Sequence, residues 1–408
     1  MVDMYLTNEE ERILDGELGT ALARAMRLLV CLGDLGGADR LVPIKRSQIA
    51  GISYKTAGDP TLELVESLAQ EKARMRTWAS LNPAGMDLNR WNDMGIPETF
   101  AEKQLRICGA YRRLGAIPSC TCTPYLSGNK PSFGETVGFS ESSAIVFVNS
   151  VIGARTNRHG GLDALSAALV GKVPRMGYLL DENRVGTARV LVDFRLKSEA
   201  DYSALGYFVG KRVKTDGVPV FQGIKSASMD ELKLLGAASA ASGSVALFHV
   251  IGLTPEASLR PVKDEERRLQ SGFRVGKDEI MSVYKELSAD GDPDLVAVGC
   301  PHCSIREIAL IANLLFGRKV KKKTKFWVFA SPQVVRRAER SGYVNRIRLA
   351  GGDVFCHTCM VVAPVEDLGF RCVYTNSAKA AFYIPRMTQG KCSAKLLSLE
   401  DCVKLCTT

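Results

Sequence analysis

The 408-residue chain has only four histidines, too few to favour a histidine-built zinc enzyme. No apolar run reaches the roughly 18 residues that a membrane-spanning helix needs. SSAIVFVNSVIGA is interrupted by polar residues, and ALIANLLFG is too short. The N-terminus, MVDMYLTNEEERILDGE, is acidic and polar, unlike a signal or transit peptide. A phosphate-cradling G-x4-G-K-S/T loop is missing, because GKV at 171–173 lacks both the Ser/Thr and the upstream glycine. No G-x-G-x-x-G follows a strand either, which leaves a nucleotide cofactor without support. Absence of a G-x-S-x-G elbow and an H-E-x-x-H helix sets aside serine-hydrolase and zincin chemistry. There is no internal repeat and no low-complexity tail. These absences lead to the expectation of a cytoplasmic globular protein.

What is present is a large apolar fraction, 46%, enough for two or more packed lobes in a chain longer than the roughly 250–300 residues of a single core. Twelve cysteines without a secretory leader point to thiols, metal or catalysis rather than disulfides. The net charge of +10 suits an anionic substrate, a nucleic acid or an acidic partner, and charge alone does not choose among them. The basic run RKVKKKTK at 318–325 reads as lysines solvating a loop and guarding an edge strand, with phosphate or nucleic-acid contact as the alternative.

Thr7 and Glu10 have capping-box spacing, and the apolar positions that follow predict a helix over 7–30. Beyond Leu41, AIVFVNS, ARVLVDF, VALFHVIG, DLVAVGC, KFWVFAS and RCVYTN read as strands. DALSAALVG, MDELKLLGAASAA, DEIMSVYKELSAD and SIREIALIANLLFG read as helices between them. The alternation predicts an α/β protein with multiple lobes and largely parallel sheets. A change of composition near 235–262 suggests a division into 1–245 and 246–408.

Cysteines recur in pairs at three turns: SCTC (Cys120, Cys122), GCPHC (Cys300, Cys303) and FCHTC (Cys356, Cys359). Cys300 ends a strand ahead of a helix capped by Ser304 and Glu307, where the helix dipole would favour a thiolate. FCHTC precedes MVVAPV, which reads as strand-like. A redox pair would suit a smaller domain, and a zinc ribbon needs a spacing of about 15–20 residues, whereas 52 separate Cys303 from Cys356. An iron or iron–sulfur site held by one thiolate from each turn would leave a coordination position open. Cys31, Cys108, Cys372, Cys392, Cys402 and Cys406 read as small core residues. His302 and His357 lie inside the cysteine turns, either as hydrogen-bond donors to the ligands or as solvent-exposed loop residues. Two polar stretches read either as ordinary capped loops or as binding segments: Asn149, Ser150, Arg155, Thr156 and Asn157, with a planar guanidinium, and Asn376, Ser377 and Lys379, with an anion-cradling turn.

Taken in order, GISYKTAGDP, NPAGMDL, CTPY, ESSAIVFVNSVIGARTNR, LLDENR, GCPH, TCMVVAP and TNSAKAAFY resemble the large subunit of aconitase X, over residues 49–385. The resemblance implies an aconitase-like fold around a central metal site and a hydro-lyase. Archaeal members dehydrate (R)-5-phosphomevalonate to trans-anhydromevalonate 5-phosphate in a modified mevalonate pathway. Bacterial relatives include cis-3-hydroxy-L-proline dehydratases. It also implies Cys122, Cys300 and Cys359 as metal ligands, whereas Cys120, Cys303 and Cys356 match no family position. Met360 stands where the family commonly has proline. The family varies between mononuclear iron and iron–sulfur forms; three thiolates favour a 4Fe–4S cluster, with mononuclear iron or 2Fe–2S as alternatives. A separate small subunit of the aconitase swivel type is implied as heterodimer partner, carrying a serine base. Asn82, Asn149, Ser150, Arg155, Thr156, Asn157 and Lys379 are the expected substrate-binding residues. A zinc- or cluster-stabilised nucleic-acid-binding protein is the reading from another class.

Overall fold

The computed structural model describes residues 4–213, 217–259 and 272–408. Its sheets are built almost wholly from parallel ladders, as the strand–helix alternation predicts. The first lobe holds a three-stranded parallel sheet in the order Trp78–Leu81, Arg46–Ile49, Gly138–Phe139, beside a two-stranded antiparallel ribbon of Leu41–Pro43 with Lys172–Pro174. The second is a four-stranded parallel sheet ordered His249–Val250, Pro219–Gln222, Ala188–Val192, Gly272–Val275. It draws strands from both sides of residue 245. The third is a five-stranded parallel sheet ordered Asp353–Phe355, Lys325–Ala330, Leu295–Cys303, Cys372–Thr375, Ser393–Leu396.

Local sequence signals set many helix starts. Thr7/Glu10, Ser198/Asp201, Ser228/Glu231 and Ser304/Glu307 each form a reciprocal capping box. Each box satisfies two backbone N–H groups that a helix start would otherwise leave unpaired. The strand Leu295–Cys303 is central in its sheet and buried at every residue, which is why its first part, Leu295–Val298, is a continuous apolar run. One core joins the second and third lobes and includes Cys300, Cys359, Trp327, Phe329 and Phe355.

Three local expectations are corrected. AIVFVNS is not a strand: Ser142–Phe147 is an α-helix continued by a wider turn, Val148–Ile152. The segment is apolar on every side because it is buried on every side, and a short run of that kind has no period to betray a helix. MVVAPV is a series of turns rather than a strand. The predicted helix over 7–30 is two, Asn8–Leu14 and Thr20–Leu35, broken at Gly16 and Gly19, both with positive φ. The basic run also differs in setting. Its strand, Lys325–Ala330, is interior to the sheet, and Lys319 and Lys321 donate to the carbonyls of Leu349 and Leu405.

Candidate active site

Strand ends and loops from the first and third lobes converge on a cavity of about 200 Å³ lined by Asn82, Cys122, Glu141, Cys300, Cys359 and Lys379, among others. Cys300 arrives there through Gly299, whose φ of +104° only glycine adopts readily. A Cβ at that position would stand 2.2 Å from the Phe329 carbonyl oxygen, so the neighbouring strand approaches at a distance no other residue allows. The turn that follows contains a cis Cys300–Pro301 peptide bond. Lys379 enters from the first turn of helix Ala378–Met387, whose N-cap Ser377 accepts from the Ala380 N–H.

Each of the three sulfurs has hydrogen-bond donors around it. The His302 backbone N–H lies 3.1 Å from Cys122 Sγ, while the Ser377 hydroxyl partly offsets the upward shift of Cys300, and the Val361 and Val362 N–H groups that of Cys359. Burial pushes the Cys300 thiol up to about 12 and raises Cys122 and Cys359 as well. Without a metal, burial opposes the thiolate that the helix start would favour at Cys300, the helix itself beginning beyond Ser304. A bound metal is what would deprotonate such thiols. Three soft donors with N–H and O–H partners, facing one cavity, fit an iron or iron–sulfur group.

Beside the cysteines lies a charged group. Lys379 Nζ donates to Glu141 Oε1 at 2.5 Å and to Ser142 Oγ at 3.2 Å, while Asn82 Nδ2 donates to Glu141 Oε2 at 2.7 Å. Burial alone would raise the Glu141 pKa, but the Lys379 charge and hydrogen bonds from Lys379, Asn82 and the Ser143 N–H hold it at about 2. Lys379 is shifted upward despite its own burial, chiefly by Glu141. The pair is thus a fixed ammonium and carboxylate. Glu141 escaped the sequence reading because its segment looked like a strand; as N-cap of Ser142–Phe147 it turns its side chain into the site.

The cavity gathers Asn82, Lys379, Cys122, Cys300 and Cys359 from the residues singled out by sequence, and it does not gather the others. Asn149 donates to the carbonyls of Thr156 and Ala246, and Ser150 accepts from the Phe248 N–H. Arg155 binds the Leu179 carbonyl and pairs with Asp181. Thr156 accepts from the Phe139 N–H, and Asn157 spans the Met176 carbonyl and the Tyr178 N–H. These five side chains knit the wall behind helix Ser142–Phe147. Cys120 is in the first-lobe core and Cys303 packs with Ile308 and Ile311. Cys356 lies with His357 and Asp87, three metal-competent groups within 4.8 Å. There Asp87 accepts from the N–H groups of Cys356, Asn89 and Arg90, tying the NPAGMDL loop to the third cysteine turn.

Models of the aconitase X first, second and third domains match residues 3–182, 186–285 and 293–408. The phosphomevalonate dehydratase large subunit of Methanocaldococcus jannaschii is 50% identical over 95% of this chain and 97% of its own length. The protein of the same name from Methanothermobacter thermautotrophicus is 49% identical over 94% of each. A cis-3-hydroxy-L-proline dehydratase of Pseudomonas aeruginosa is 36% identical over 97% of this chain and 68% of its own. A crystal structure of Thermococcus kodakaraensis aconitase X, in a holo form, aligns with a TM-score of 0.91 at 41% identity, across 98% of this chain and 99% of that one. With all three domains matched and the fold shared end to end, the chain belongs to the aconitase X family.

Proposed function

We propose that this chain is the large subunit of an iron-dependent dehydratase that removes water from 5-phosphomevalonate, with Cys122, Cys300 and Cys359 as ligands of the iron group. The observation that carries the reading is the meeting of three buried cysteines with the Lys379–Glu141–Asn82 cluster at one cavity, in a chain half identical to phosphomevalonate dehydratase large subunits. As a member of the aconitase X family the chain is a hydro-lyase. A 4Fe–4S cluster is the form that three thiolates suit, since it leaves one iron open. Such an iron supplies Lewis acidity to a substrate hydroxyl, making hydroxide a better leaving group.

The remaining work falls to protein groups. Lys379, held cationic, attracts the substrate carboxylate, and Glu141 fixes the direction in which it points. Asn82 offers an amide beside them. Val361, Val362, Tyr383 and Met387 form an apolar wall that limits water around the reacting atoms. Neither charged group suits the removal of a proton from carbon: Lys379 keeps its own, and Glu141, at about 2, is too weak a base. That supports a base delivered by a partner, and the name "large subunit" carried by the relatives supports a small subunit in that role. A serine on a swivel-type small subunit, and a cytoplasmic heterodimer, complete the proposal. Among the described residues no helix is long and apolar enough to cross a membrane.

The test is anaerobic co-expression with the small subunit and a dehydration assay on 5-phosphomevalonate, alongside iron analysis. Turnover lost with iron in Cys122→Ala is the expected result. Dehydration of cis-3-hydroxy-L-proline but not of the phosphorylated acid would reassign the substrate, and colourless zinc-loaded protein unaffected by Cys122→Ala would overturn the iron chemistry.

A further inference from the structure

His302 lies two residues beyond Cys300 and is completely buried. All four of its polar atoms are engaged, by three different segments: Thr121–Cys122, Lys233 and Thr358. Its backbone N–H approaches Cys122 Sγ at 3.1 Å. Its carbonyl accepts from Lys233 Nζ at 3.3 Å, and Lys233 is itself buried in ion pairs with Asp230 and Glu307. Ring Nε2 lies 2.8 Å from the Thr358 carbonyl, the residue before Cys359. A carbonyl only accepts, so Nε2 carries the proton. Ring Nδ1 of the neutral tautomer then accepts from the Thr121 hydroxyl at 2.9 Å, the residue before Cys122. The Thr123 N–H completes that hydroxyl's set at 3.1 Å.

We propose that His302 is the positioning residue of the metal site, a single buried side chain whose two ring nitrogens and backbone N–H set the spacing of the three cysteine turns. The turns are far apart in sequence, and no described disulfide or sheet ladder joins Cys122 to Cys359. The ring clamps the residue before each of those cysteines, while the chain of His302 itself carries Cys300. Groups that hold ligands in place typically change metal affinity by about 10–100-fold when removed. The inference rests on the assignment of the three cysteines as ligands.

The test uses the complete two-chain enzyme, purified without oxygen, as wild type, Cys122→Ala, His302→Ala, His302→Gln and Thr121→Val. Iron and sulfide per chain are followed during challenge with a ferrous chelator, together with the electron paramagnetic resonance spectrum. The melting temperature of metal-stripped protein is measured in parallel. We expect His302→Ala to lose iron about tenfold faster or more, and His302→Gln, whose amide nitrogen can still donate to the Thr358 carbonyl, to lose it more slowly than the alanine variant. Thr121→Val should alter the resonance spectrum while the stripped protein melts as wild type does. Wild-type iron retention and spectra in both His302 variants, with Cys122→Ala losing iron, would overturn the positioning role. So would a loss in the stripped protein's stability that accounts for the faster release. Iron retention by Cys122→Ala would remove the ligand assignment, and the positioning role with it.

Discussion

Glu141 and Lys379 show how one buried pair fixes a charge pattern in a small cavity. Removing one partner strands the other, which costs about 3–5 kcal/mol for a buried pair. Glu141→Gln should therefore unfold at lower urea by an amount in that range, and a loss below about 1 kcal/mol would mean the pair is solvated like a surface bridge. Asp87 makes a second residue-level prediction. Burial would raise its pKa, but hydrogen bonds from His357 and from the Cys356 and Asn89 N–H groups outweigh that and hold it at about 2. A depressed carboxyl contributes stability that is complete above its unfolded value of about 3.9. That contribution is lost as pH falls through about 2. In a urea titration repeated across this window, Asp87→Asn should lose stability at neutral pH and show a shallower fall in acid. Parallel wild-type and variant curves would contradict it. Glu141 and Asp87 were hard to find in the sequence because neither has a spacing motif. Beyond local N–H groups, their partners Lys379 and Cys356 lie 238 and 269 residues away.

Helices Glu199–Arg212 and Met229–Gly243 approach so closely that a Cβ on Gly206 would stand 2.0 Å from the Leu235 carbonyl oxygen. Backbone cannot yield as a side-chain tip can, so Gly206→Ala forces the helices apart and should destabilise by about 1–3 kcal/mol or more. Ordinary helix propensity alone would make the same change favourable by about 1 kcal/mol, so the sign of the shift in urea midpoint decides between them. The same pair matters to the site, because Met229–Gly243 carries Lys233 to His302, and Ser203 on the other helix accepts the Ala378 N–H beside Lys379. The starts at Thr7/Glu10 and Ser304/Glu307 were readable because capping-box spacing acts within one turn, whereas helix Glu199–Arg212, capped by Ser198 and Asp201, was not read from the sequence. Ser142–Phe147 was not, because its burial comes from distant helices and leaves no polar face in the sequence.

At the scale of the whole molecule, the net charge of +10 includes a basic run that the structure assigns to backbone and solvent. In the run 318–325, Lys319 and Lys321 serve backbone carbonyls, and Lys322 and Lys323 are exposed. Reversing Lys322 and Lys323 to glutamate should leave kcat/KM within about twofold at physiological salt, where exposed charges are screened beyond about 8 Å. Retention of RNA by the wild type, lost in this variant with a steep salt dependence, would revive the nucleic-acid reading.

The sequence by itself determined the α/β class, several strand and helix identities, the helix starts at Thr7 and Ser304 and the three cysteine turns. These depend on residues within a few positions of one another. Only the tertiary structure decided which polar residues face the cavity. Asn149 to Asn157 looked like a binding stretch because they are polar and clustered, yet their side chains satisfy backbone groups behind the site. The split within the cysteine pairs, implied by the resemblance, has a tertiary origin. Cys300 and Cys303 occupy different surroundings, one at the cavity and one in a helix-packed core, on a strand whose pairing with its neighbour is irregular between Val298 and Cys303. Which neighbour each meets depends on contacts some 180 residues distant in sequence, such as Cys122 with His302, and no local pattern records them.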